Sequence, residues 1–177
     1  MISATAYDRH VEQLFELLHR VTSALRAAGI EYRVIGGVAV FLHVAERDPL
    51  AARVTRDIDL AVDRADMEAI RNAAGVDLLV DSTARSARSA VHLVMVREKV
   101  RPDYPEPVPD FSPAVETSEG VLLAPVADLV RMKLTSYRLK DRVHIQDLDA
   151  AGLLTLVIEA ALPELQRHRL LEIRATT

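Results

Sequence analysis

Cysteine and tryptophan are both missing from this chain of 177 residues. Without cysteine there can be no disulfide, no thiolate nucleophile and no cysteine-ligated zinc. Aromatic residues make up only 4% while half of the chain is hydrophobic, so aliphatic side chains must fill the core. No apolar run approaches the roughly 20 residues of a membrane-spanning helix. The N-terminus lacks the basic and apolar segments of a signal peptide, which makes a cytoplasmic location the default expectation. A strong positive charge is missing too. Lysine and arginine number 22 against 26 acidic residues, a net charge of −4. That argues against a non-specific electrostatic binder of nucleic acid and leaves room for a local basic groove. The length suits one domain.

What is present divides into recognisable segments. Val11, Leu14, Phe15, Leu18, Val21 and Leu25 recur at helical spacing, predicting an amphipathic helix from Asp8 to Ala28 that stops at Gly29. Tyr32 to Ile35 reads as a short strand, and Val38 to Glu46 as a helix broken by Asp48-Pro49. Residues 57–62 read as a strand, 64–74 as a helix, and 76–80 and 91–96 as further strands. Five of the eight prolines fall between Pro102 and Pro113, so residues 97–113 are expected to be an irregular loop. Leu122 lies in a short strand. Pro125 opens a helix expected to run to Lys140, with more helices over 143–151 and 154–171. The pattern is α+β: a small mixed-sheet core with its N-terminal helix over residues 1–124, and a helical part over 125–177 packed on it as one domain.

Two stretches carry the chemistry. Gly36-Gly37 joins the first strand directly to a helix. Such a junction lets backbone approach a ligand closely and aims helix amides at an anion, typically phosphate. The second stretch is Asp57-Ile58-Asp59-Leu60, whose period of two puts both carboxylates on one face and both aliphatics on the other. Two residues of strand rise separate the acids by about 6.5 Å, and their repulsion at an effective dielectric near 20 is about 2–3 kcal/mol. Solvent with Arg53 and Arg56 as counter-charges could offset it. So could a hard divalent cation, which binds through carboxylates and substrate phosphates.

Gly36-Gly37 followed by Arg53-x-Thr55-x-Asp57-Ile58-Asp59-Leu60 resembles the signature of the polymerase-beta-type nucleotidyltransferase superfamily, in particular its AbiEii-like branch. Pro125-x-x-Asp128-Leu129-x-x-x-Lys133-Leu134, with Arg138, Asp141 and Asp147-Leu148, resembles the later motif of that branch. The resemblance covers residues 30–150. It implies a nucleotidyltransferase-like core and transfer of a nucleoside monophosphate from a nucleoside triphosphate to an RNA, protein or small hydroxyl acceptor. It implies Mg2+ or Mn2+ held by Asp57 and Asp59, and a triphosphate cradled by Gly36 and Gly37. Arg53, Thr55, Lys133 and Arg138 would be further nucleotide contacts, with Asp57, Asp59 and Lys133 catalytic. Partners implied are a tRNA or other RNA acceptor and a cognate antitoxin protein, since this branch includes toxins of toxin–antitoxin systems.

The chain departs from that pattern at one place. The superfamily carries a third carboxylate on a later strand, and the strand 91–96 offers His92. A neutral imidazole can ligate a metal or accept a proton; it can equally be structural. Asp77 or Asp81 are the other sources of the missing oxygen. This departure motivates an alternative expectation, a catalytically weakened nucleotide- or RNA-binding module on the same fold. A third class, an antitoxin-like interaction protein, is suggested only by the apolar helices at the two ends. Lys133, Tyr137 and Lys140 fall on one face if the helix runs through all three. Asp141 is expected to orient Arg138 or Lys140. His43 and His144 have no partner at metal-ligand spacing and read as structural.

Overall fold

A computed structural model describes residues 4–53, 55, 57–74, 80–81 and 91–176. The fold is α+β, a mixed sheet flanked by helices and followed by a helical C-terminal part. The long helix α1 (Ala4–Ala27) leads into strand β1 (Tyr32–Ile35), helix α2 (Gly36–Arg47) and strand β2 (Ile58–Val62). A 3-10 turn (Arg64–Asp66) and α3 (Met67–Ala74) follow, then β3 (Val80–Asp81), β4 (Val91–Met95), β5 (Val115–Glu116) and β6 (Leu122–Leu123). Helices α4 (Val126–Ser136), α5 (Leu139–Ala150), α6 (Leu156–Ala160) and α7 (Glu164–Ala175) complete the chain.

Among the described residues the sheet has the order β3-β4-β2-β1-β6-β5. β1 runs antiparallel to β2, and β2 runs parallel to β4. All four residues of β1 are buried, so both faces of that central strand are covered. Leu18, Leu25, Ile58, Leu60, Ile70, Leu93, Leu129 and Ile145 are among the largest fully buried side chains. Aliphatics therefore do form the core. α1 packs against α3, while α2 packs against α4 and α5. Among the described residues no helix is long and apolar enough to cross a membrane.

The loop between β4 and β5 is irregular, as its prolines require, yet it is tied down. Across it the Arg97 backbone N–H donates to the Val108 carbonyl and the Val108 N–H to the Glu98 carbonyl, and Arg33 donates to the Ser112 carbonyl and sits over the Phe111 ring. The C-terminal helices differ from expectation. The helix opened by Pro125 ends at Ser136, and α5 begins at Leu139. Residues 154–171 form two helices, with Pro163 as the N-cap of the second. Residues 76–79, including Asp77, lie outside the described set; Asp81 lies in β3, and its side chain is outside that set.

Candidate functional site

The break between α4 and α5 places half of the site. Tyr137 caps α4 in the left-handed conformation, at φ 51°, a region that a bulky residue enters only when its surroundings hold it there. Arg142 and Arg169 lie over its ring at 4.2 and 4.7 Å, and its hydroxyl donates to Glu172 at 2.7 Å. No glycine or proline marks the turn, so local sequence signals pass over it. One consequence is a correction: Lys140 belongs to α5 and does not share a helix face with Lys133.

Asp141 anchors the new corner. It is fully buried and accepts from Lys133 Nζ at 3.1 Å, Arg138 Nε at 2.7 Å and Ser136 Oγ at 2.8 Å. It also accepts from the Arg138 backbone N–H, closing a capping box at the start of α5. Burial pushes the carboxyl pKa up, but Arg138, Lys133 and Ser136 outweigh it and hold it at about 2. Burial lowers the Lys133 pKa, and Asp141 opposes that fall. Asp141 thus orients Lys133 and Arg138, where the sequence reading had named Arg138 or Lys140.

The other half comes from the sheet. Backbone register places Ile35 opposite Asp59, and Asp59 opposite His92. Asp57 and Asp59 are partly exposed while Ile58 and Leu60 are buried, so the alternation works as the sequence dictates. Gly36 has φ +72°, and a Cβ there would fall on the Asp59 carboxylate, 2.8 Å from its Cγ. A Cβ at Gly37 would meet Thr55 Oγ1 at 2.7 Å. Both glycines are therefore required, because the side chains of Asp59 and Thr55 occupy the space beside them. No side chain caps the start of α2, and its first turn carries no acid. Its leading amides are thus unclaimed by side chains and suited to an anion.

These pieces meet in one cleft of about 530 Å³, within the range of small-molecule sites. Gly37, Thr55, Asp57 and Asp59 line it from the sheet side; so do Lys133 and Arg138 from the α4–α5 corner, together with Arg53 and His92. Gly36 lies beneath, against Asp59. Three lining residues were not singled out as site residues from sequence: Lys140, Val143 and His144. They project from α5 at i, i+3 and i+4, the spacing of one helix face; only the shift of the helix start reveals that face. The other supposedly structural histidine, His43, is indeed buried, with Nε2 at 2.9 Å from the Ala124 carbonyl.

Charge is balanced differently from the local scheme. Arg53 pairs with Asp147 at 3.0 Å rather than with the acidic pair, and Arg56 lies outside the described residues. The charge of Asp59 acts instead on Lys133, Arg138 and His92. The His92 pKa is raised, first by its hydrogen bond to Asp59 (Nδ1 to Oδ1, 3.4 Å) and then by the charges of Asp59 and Asp57; burial opposes this.

The donor set fits a hard divalent ion in a particular way. Asp57 and Asp59 face the cleft, and among the described residues no arginine is bonded to either. Among the described residues no cluster of three or more His, Cys, Asp or Glu side chains could hold a metal on its own. An ion here would take two carboxylates from the protein and its remaining ligands from phosphate and water, the usual manner of magnesium. Comparison of the chain with family models, curated proteins and solved structures returns no match.

Proposed function

We propose that the protein is a metal-dependent nucleotidyltransferase, transferring a nucleoside monophosphate from a nucleoside triphosphate to a hydroxyl acceptor. The observation that carries this reading is the convergence in one cleft of the glycine turn, Asp57, Asp59 and Lys133. The α2 amides and Lys133 suit a polyphosphate tail. Asp57 and Asp59 would hold Mg2+ or Mn2+, which when bound stabilises charge on attacking and leaving oxygens. In the reaction the acceptor oxygen bonds to the α-phosphorus. The bond from that phosphorus to the β-phosphate oxygen breaks, and pyrophosphate leaves with the electron pair. The acceptor proton goes to solvent or to a neighbouring base; His92, hydrogen-bonded to Asp59, is an imidazole placed beside the acidic pair. Arg138 and Lys140 supply positive charge for an RNA acceptor.

Incubation with labelled triphosphates, Mg2+ or Mn2+ and cellular RNA tests this. The expected result is label transferred to RNA and lost in Asp57→Ala. Absence of transfer to RNA, protein or small hydroxyl acceptors rejects the reading.

One observation favours a second reading, a nucleotide-binding module without turnover. His92 stands at the register position beside Asp59 where a third carboxylate is wanted. That reading expects triphosphate to bind with metal and never to be consumed.

A further inference from the structure

We propose that Val143 and His144 form the subsite for the base of the bound nucleotide. The inference rests on the nucleotidyltransferase reading of the same cleft and adds what holds the other end of the substrate. Both residues line the cleft, on the α5 face that also carries Lys140. His144 Nδ1 is buried with no hydrogen-bond partner, which leaves Nε2 as the ring atom it can offer a ligand. Among the described residues no hydrogen bond holds the ring, in contrast to His43, whose Nε2 is held by a backbone carbonyl. With no acceptor beside Nδ1 among the described residues, a proton there would be buried and unpaired, so the Nε2–H tautomer is favoured and Nε2 donates, as to a carbonyl.

The surroundings narrow the ligand class. Burial first, then the charge of Lys133, brings the His144 pKa down to about 4, so the ring is uncharged at neutral pH. An uncharged imidazole holds phosphate less well than the lysines and arginine beside it. Of the charges acting on the ring, Lys133, Lys140 and Arg138 disfavour a divalent cation there, and the one carboxylate, Asp141, opposes them while already bonded to Lys133 and Arg138. His92 differs, since its strongest charged neighbours are Asp59 and Asp57. What suits His144 is a flat, uncharged group with polar edges and a π-face, and Val143 adds an apolar flank. A nucleobase has this chemistry, and base stacking on an aromatic ring is worth enough for about a tenfold change in affinity.

Calorimetric titration with Mg2+ separates the two ends of the substrate. The probes are the four common ribonucleoside triphosphates and inorganic tripolyphosphate, which has no base. The wild type is expected to bind at least one nucleoside triphosphate about tenfold more tightly than tripolyphosphate. His144→Ala should remove that advantage and leave tripolyphosphate binding unchanged, and His144→Gln should restore part of it. Val143→Ser, a milder change, should shrink the same advantage and serves if His144→Ala does not fold. Equal weakening of both probe types, or no change in either, overturns the subsite. Wild-type protein that binds tripolyphosphate and all four nucleotides equally also overturns it, while leaving the catalytic reading standing. Binding of no probe at all removes both.

Discussion

Asp141 and Asp59 are alike in charge but not in circumstance: Asp59 lines the cleft, whereas Asp141 is sealed and touches it only through Lys133 and Arg138. Asp141 is fully buried and takes five hydrogen bonds from Lys133, Ser136 and the side chain and backbone of Arg138. The Asp59 side chain is 31% exposed and, among the described residues, has one long polar contact, to His92. A buried carboxylate is tolerated only when its acceptor capacity is filled by the protein. A carboxylate left short of donors at a cleft, beside another acid, has capacity for something from outside. The first acid holds the corner together; the second is the one that the proposed function assigns to a metal ion.

That contrast can be broken by experiment. The largest expected effect is on chemistry. Asp59→Asn should cut nucleotidyl transfer about 10³-fold, several kcal/mol of transition-state stabilisation, while the denaturation midpoint stays level or rises as acid repulsion is relieved. A matching loss of stability would place Asp59 in the same structural class as Asp141. Asp141→Ala should do the reverse in kind. It leaves Lys133 buried without its partner and should cost about 3–5 kcal/mol in urea unfolding. Gly36→Ala tests the seam between them. A positive φ together with the Asp59 carboxylate in the way should cost about 1–3 kcal/mol and weaken metal affinity, read by titrating Mn2+.

The smallest effect is in acid. His144 is held at about 4, below its ordinary 6.5, so the unfolded chain binds more protons between those values. Stability should therefore be full above pH 6.5 and fall as pH drops toward 4, by about 1–2 kcal/mol after allowance for partial exposure. His144→Gln should flatten that window. Asp141, held at about 2, should add its own loss only below its ordinary 3.8, as pH falls toward 2.

The sheet side of the site was legible because its signals are local. A Gly-Gly pair after a strand and an Asp-x-Asp alternation each follow from backbone geometry over a few residues, and register then brings Ile35, Asp59 and His92 side by side. The α4–α5 corner was not legible to the same degree. Lys133, Arg138 and Asp141 could be named, but the break at Tyr137 rests on Arg142, Arg169 and Glu172, the last two more than 30 residues away. With the break misplaced, Lys140 went to the wrong helix, and the place of His144 on the cleft wall could not be seen.

By itself the sequence determined which faces are apolar, where the glycine turn must fall and which acids share a strand face, because each depends on periods of two or 3.6 along one segment. Only tertiary structure decided which cations answer those acids, that Asp141 is sealed, and that α5 turns Val143 and His144 into the cleft. Those outcomes depend on side chains from α4, α5 and α7 competing for the same few donors and acceptors. No single stretch of chain contains that competition.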